Sequence, residues 1–153
     1  MSEMKRTHAL ADLAFSGDAW HGPSLIATLK GVSAAQAVRK PLPNVHSIWE
    51  LTLHCAYWKE TVIRQLAGET VATVEEENFP TVKDHSEAAW KAAQVRLAES
   101  HRSLLEAIAR MRVEELETEK DGESGASRNY VRLHGIIHHD LYHAGQIALL
   151  KKA

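Results

Sequence analysis

Apolar residues recur three and four positions apart along four long segments of this chain, and no stretch alternates with the period of two that a half-buried strand requires. That pattern commits the chain to helices packed on helices, so the expected class is all-α. The first segment is broken: Thr7 to Phe15 reads as helix, Ser16, Gly17 and Asp18 interrupt it, and Trp20-His21-Gly22-Pro23 restarts it through Leu29. Pro23 suits a first helical turn, where its missing N–H costs nothing, and Gly31 ends the segment. The second helix begins at Ser47, because Ser47 and Glu50 have capping-box spacing, and runs to about Leu66, before Gly68. Its stripe of Ile48, Leu51, Cys55, Trp58 and Val62 has the spacing of a core-facing surface.

A third helix is expected from about Asp84 to Met111, carrying Trp90, Leu97, Leu104, Leu105 and Ile108 with His101 on the same stripe, and a fourth from about Arg128 to Leu150. The acidic run Glu75-Glu76-Glu77-Asn78 reads as a solvated connection, and a polar segment rich in Glu, Gly and Ser from Glu114 to Ser127 separates the last two helices. Four long helices with no internal repeat point to a four-helix bundle occupying residues 1–153 as a single domain. Bundles of this kind build metal sites from side chains that face the core.

With 153 residues and 44% of them hydrophobic, the chain can bury a core of its own. The formal net charge is -2 and basic residues are scattered among acidic ones, so no field draws in nucleic acid or an anionic membrane surface. A small neutral partner is favoured. No stretch approaches the roughly 20 apolar residues of a membrane span, and Met1-Ser2-Glu3-Met4-Lys5-Arg6 is followed by no apolar run fit for a signal peptide, so a cytoplasmic location is expected. Cys55, the single cysteine, excludes an internal disulfide and a Cys-rich zinc module. Any metal falls to histidine.

The run His138-His139-Asp140-Leu141-Tyr142-His143-Ala144-Gly145-Gln146 supplies it. Positions four apart lie one above the other on a helix, so His139 and His143 can approach one ion. His134 and His138 repeat the spacing one position earlier, which rotates them by about 100°. Ile136, Ile147 and Leu150 lie near the face of His139 and His143, which makes that pair the inward one and leaves His134 and His138 partly exposed. On the second helix, His54 in Trp49-Glu50-Leu51-Thr52-Leu53-His54 is a third candidate. Neutral imidazoles suit nickel, zinc, iron and copper alike, and three of them leave positions open for water or substrate. A metal there can bring bound water towards a pKa of about 7 or deprotonate a thiol outright, so hydrolysis and thiol transfer are both available.

His101 reads as a hydrogen-bonded boundary histidine, with support of the metal site as its alternative role. His21 and His46 stand at helix entrances, where they edge a pocket or are simply solvated; His8 and His85 carry no signal. Asp140 matches the acid of the zinc-protease pattern His-Glu-x-x-His, but it is one methylene shorter and sits in a bundle, so a hydrogen bond behind the ligands is the better assignment. Tyr142 and Gln146 can orient a ligand or substrate, Gly145 can permit close helix packing, and Trp20, Trp49, Trp58 and Trp90 read as core or interface residues.

The Ser47-Ile48-Trp49-Glu50 start with His54 resembles the second-helix motif of the DinB/YfiT-like superfamily, and His139 to Gln146 resembles its C-terminal motif. Trp20-His21-Gly22-Pro23-Ser24-Leu25 and Gln65-Leu66-Ala67-Gly68-Glu69 are similar to further recurrent features of these proteins, so the resemblance covers nearly the whole chain. It implies a four-helix bundle with an unusual order of helix directions, commonly a homodimer. It also implies a divalent transition metal held by three histidines, which fall here on His54, His139 and His143, with nickel and zinc ahead of iron and manganese. The superfamily includes S-transferases and isomerases that use low-molecular-weight thiols such as bacillithiol or mycothiol. The expected function is therefore a metal-dependent enzyme of thiol-transferase or hydrolase type acting on a small electrophile. Its alternative is a non-catalytic, stress-related bundle that binds a metal or small ligand.

Overall fold

Serine hydroxyls start five helices: Ser2, Ser24, Ser33, Ser47 and Ser86 each accept a hydrogen bond from the amide three residues on. Each cap satisfies a donor that the helix cannot, typically worth about 1 kcal/mol. The computed structural model describes residues 2–116 and 128–153, so the greater part of the polar segment between the last two helices lies outside the described residues. In chain order the elements are helix α1 (Glu3–Phe15), a two-stranded antiparallel ribbon of β1 (Asp18–Ala19) and β2 (Gly22–Pro23), and short helices α2 (Leu25–Leu29) and α3 (Ala34–Val38). Then come α4 (Ile48–Leu66), the single turn α5 (Glu75–Asn78), α6 (Glu87–Arg110), a 3-10 turn (Val113–Leu116) and α7 (Arg128–Leu150). Helices α1, α4, α6 and α7 form the all-α bundle, with α4 packed along both α6 and α7.

The capping box on α4 forms as its spacing predicts: the Ser47 amide donates to Glu50 Oε2 at 2.7 Å and the Glu50 amide donates to Ser47 Oγ at 3.2 Å. Four expectations change. Trp20 to Leu29 is not one helix, because Gly22 adopts φ 121°, open only to glycine, and turns the chain into the ribbon; Pro23 lies in β2, and Ser24 is the cap. Trp20 at the ribbon tip is wholly exposed and not a core residue. Helix α6 starts at Glu87, later than Asp84, whose carboxylate instead accepts the Ser86 amide. Asn78, at the end of the supposedly solvated acidic run, is buried.

The interior is layered. One apolar cluster gathers Phe15, Leu25, Trp49, Leu51, Leu97 and Ile147; a second gathers Met4, Val62, Leu104, Ile108, Leu133 and Ile136. Between them, at the same level on three helices, lie buried polar side chains: Lys59 on α4, His101 on α6 and Asp140 on α7. Lys59 donates to Asp140 Oδ1, and its Nζ sits 5.3 Å from the centre of the Phe15 ring. His101 stacks on Phe15 at 3.7 Å with rings 10° apart. The lower end of α6 is tied to the α2–α3 connection by Trp90 Nε1 donating to Val32 O at 2.8 Å. Gly145 does not serve close packing, since a Cβ built there meets nothing within 4 Å.

Candidate metal centre

Helix α4 turns His54 towards α7, where one helical turn separates His139 from His143, and the three imidazoles meet. His139 Nε2 lies 3.0 Å from His54 Nε2 and 3.1 Å from His143 Nε2. His54 and His143 are buried and His139 is half-buried. The competing pair faces outward as its rotation predicts: His138 is exposed, and the half-buried His134 ring packs against Tyr130 at 4.2 Å.

The outer nitrogens decide what the inner ones offer. His54 Nδ1 donates to the Asn78 carbonyl at 3.3 Å, and His143 Nδ1 donates to Gln146 Oε1 at 2.6 Å. Protons on those Nδ1 atoms leave the two Nε2 atoms as bare acceptors, both aimed at His139 Nε2. A proton on His139 Nε2 can donate to these acceptors, and a cation among the three nitrogens can take its place. Two donors held about 2.0–2.1 Å from one ion sit about 2.9 Å apart at a right angle and about 3.3 Å apart at the tetrahedral angle, and the observed 3.0 and 3.1 Å fall between, so the residues fit a metal. His139 differs in that its Nδ1 is buried without a hydrogen-bond partner.

Burial also sets the protonation. Desolvation, reinforced by His143 and His54, pushes His139 down to about 2. Desolvation takes His143 to about 4 against the opposing pull of its Gln146 hydrogen bond, and it lowers His54 as well. All three are neutral at pH 7, the form that binds metal.

Aromatic rings fix the planes of the ligands. Phe79 stacks on His54 at 4.1 Å and 9°, and on its other neighbour His46 at 3.7 Å and 3°, making a three-ring pile that reaches from the α3–α4 loop to the centre. Trp58 stands edge-on to both His54 and His139 at 6.3 Å. The triad forms the floor of a pocket of about 570 Å³, with Leu51, Trp58 and Phe79 among its walls and Tyr142 and Leu149 at its rim. That volume is in the range of small-molecule sites, roughly 300–1,000 Å³.

Other residues fall into place around it. His46 lines the pocket, its Nδ1 3.6 Å from Glu50 Oε2, whereas His21 is exposed beside Trp20 and does not. Asp140 makes the buried bond to Lys59, Gln146 orients His143, and Trp58 is half-buried in the pocket wall while Trp49 and Trp90 are core. His101 is a correction: it stays out of the triad and makes no hydrogen bond among the described residues, with Asp12 Oδ1 at 4.0 Å and burial pushing it to about 3. Sequence reasoning missed Asn78, Phe79 and Lys59. Lys59 was visible as a charge on the α4 core stripe, four after Cys55 and three before Val62. Phe79 showed only as an aromatic between Asn78 and Pro80 in a polar run.

A helical bundle whose core-facing histidine triad opens on an apolar pocket defines a class of metal-binding scaffold. The chain matches the family model of the DinB superfamily over residues 19–147 and belongs to that superfamily. No curated protein and no solved structure matches it. Among the described residues, no helix is long and apolar enough to cross a membrane.

Proposed function

We propose that this protein is a metal-dependent enzyme in which His54, His139 and His143 hold a divalent transition ion and a thiol or water attacks a small electrophilic substrate in the pocket. One observation carries the reading: three neutral imidazole nitrogens converge at the floor of an open cavity. Nickel and zinc suit an all-imidazole donor set, with iron and manganese behind them. When bound, such an ion would polarise a substrate oxygen or lower the pKa of a thiol or water at its open position.

The protein's own contribution is positioning. Asn78 and Gln146 hold the tautomers of His54 and His143, Phe79 fixes the His54 plane, and the apolar walls give a substrate a surface to pack against. Cys55 is not the attacking thiol, because it is wholly buried and burial raises its pKa well above the usual range. The thiol therefore comes from a small molecule. We also propose that the working form is a homodimer.

The test is elemental analysis of untagged wild type and a His54→Ala variant, paired with a screen of the loaded protein for thiol consumption in the presence of an electrophile. Stoichiometric metal in wild type, its loss in the variant, and thiol loss that depends on His143 support the proposal. Equal metal content in the two proteins counts against it.

A further inference from the structure

We infer that the exposed face of α7 is the seam of the homodimer, with α7 of one copy lying antiparallel to α7 of a second about a twofold axis at the level of Asp140. The inference rests on the homodimer proposed above and gives it a surface.

Beyond Tyr130, the exposed residues of α7 are Val131, Gly135, His138, Tyr142, Gly145 and Leu149, spaced alternately four and three apart. At 100° per residue all six lie within about 40° of one line, along a strip about 27 Å long. The strip holds no Lys, Arg, Asp or Glu, and the exposed Arg128 and Lys152 bound it at either end. Val131 is 45% exposed, Tyr142 65% and Leu149 70%. No other described helix displays such a face: α1 shows Leu10 and Leu13, and α6 shows Val95.

The strip reads alike from both ends. Positions equally far from 140 are Val131 and Leu149, Gly135 and Gly145, and His138 and Tyr142, which gives the order apolar, glycine, ring, ring, glycine, apolar. A twofold contact requires a self-complementary surface, and the antiparallel pair sets each of these residues opposite its mirror position on the second copy. The glycines point to that partner. Glycine is unfavourable inside a helix, neither has a positive φ, and a Cβ at either meets nothing within the chain, so they serve no packing there. Opposed across the axis, they let two helix backbones approach, and the His138 and Tyr142 rings interleave between the two glycine levels.

Strip and flanks together offer roughly 600 Å² per copy, or about 1,200 Å² for the pair, the lower end of specific interfaces. A dimer that dissociates at micromolar concentration is therefore expected. Tyr142 and Leu149 also form the α7 rim of the pocket, so the seam lies against the mouth of the metal centre and brings His138 of the second copy beside Tyr142 there.

Sedimentation of the protein as purified, from about 1 to about 100 µM, reads the equilibrium. Gly135→Gln with Gly145→Gln should raise the dissociation constant at least about tenfold. Its melting temperature, at a dilution where both proteins are monomeric, should stay equal or rise, because Gln is the better helix former and its Cβ enters open space. Orientation is read by cross-linking, since Cys55 is buried and an introduced surface cysteine is the one that reacts. Val131→Cys protein mixed with Leu149→Cys protein should cross-link through a short bismaleimide. Neither should do so alone, because like positions stand about 27 Å apart in the antiparallel pair.

A monomeric wild type at the highest concentration overturns this inference and the homodimer together. A dimer indifferent to the glycine variant, cross-linking of either cysteine protein alone, or none in the mixture overturns only the α7 seam and leaves the homodimer with another face. Should the glycine variant melt lower than wild type, the cross-link decides.

Discussion

Asp140→Asn removes one charge from the most deeply buried ion pair of the bundle, and its cost follows from what it leaves behind. Lys59 is fully buried, and its Nζ has the Asp140 carboxylate as hydrogen-bond acceptor and the Phe15 ring face at 5.3 Å. Burial pushes the Asp140 carboxyl above its usual range while the Lys59 ammonium pulls it down, so the pair stands between a strong desolvation penalty and a strong attraction. Stripping one partner from such a pair costs about 3–5 kcal/mol, because the survivor is a charge without compensation. The Asn oxygen still accepts, and the Phe15 ring retains part of the cation, so we expect the low end, about 3 kcal/mol. Lys59→Met with Asp140→Leu removes both charges and fills a similar volume, and the double variant should lie within about 1 kcal/mol of wild type or above it. Urea unfolding of chelator-treated protein, with slopes checked for equality, gives both numbers without a contribution from bound metal. A loss below about 1 kcal/mol for Asp140→Asn, or a double variant as damaged as the single, would refute the reasoning.

Gln146→Leu should weaken metal binding about 10–100-fold, since His143 Nδ1 loses the acceptor 2.6 Å away that fixes its tautomer; isothermal titration with zinc or nickel checks it, and unchanged affinity rejects the role. Metal-free protein should lose stability in acid. His139, His143 and His101 titrate near 6.5 when unfolded but at about 2, 4 and 3 when folded, so the unfolded chain takes up protons first. Their contribution is complete above about pH 6.5 and falls towards the folded values by up to about 1.4 kcal/mol per unit for each histidine; urea midpoints that do not drop between about pH 7.5 and about pH 5.5 would contradict the burial of these rings. Cys55, wholly buried and raised in pKa, should resist a disulfide-exchange thiol reagent in the native protein and react once denatured, whereas rapid native labelling would mean that the core around it opens.

Periodicity exposes a residue to sequence reasoning when a helix carries it, and the candidate centre divides along that line. The pairing of His139 with His143 on α7 and the outward turn of His134 and His138 follow from 100° per residue and were legible, whereas the meeting of His54 on α4 with that pair came from the resemblance to the DinB/YfiT-like motifs. Asn78 and Phe79 come at and just after the single turn α5, where no repeat fixes direction. Their roles, a carbonyl for His54 and a ring stacked on it, exist only once the chain folds back on α4. The ribbon after α1 escaped for a related reason: Pro23 is as much at home in a helix start as in an extended edge, and the choice was made by Gly22 and its φ of 121°. His101 shows the opposite limit, since its stripe was right and its partner was not: packing on Phe15 took the place of the expected hydrogen bond.

Lys59 and Asp140 give the centre its back wall. They lie on the two helices that carry the triad, Lys59 five positions after His54 and Asp140 next to His139, and they join α4 to α7 at the level where the two apolar clusters part. A charge pair sealed there resists sliding of one helix past the other, because any shift in register would expose one charge to the apolar layers on either side. The spacing of imidazole nitrogens across the same two helices, 3.0 Å from His54 to His139, depends on that register. The pair thus sets how the halves of the site meet, while the pocket mouth on the other side, walled by the chain from α3 to α4 and by Phe79, stays free to admit a ligand. A buried ion pair is a costly way to gain stability, and its position behind the triad is where fixed register matters most to the chemistry.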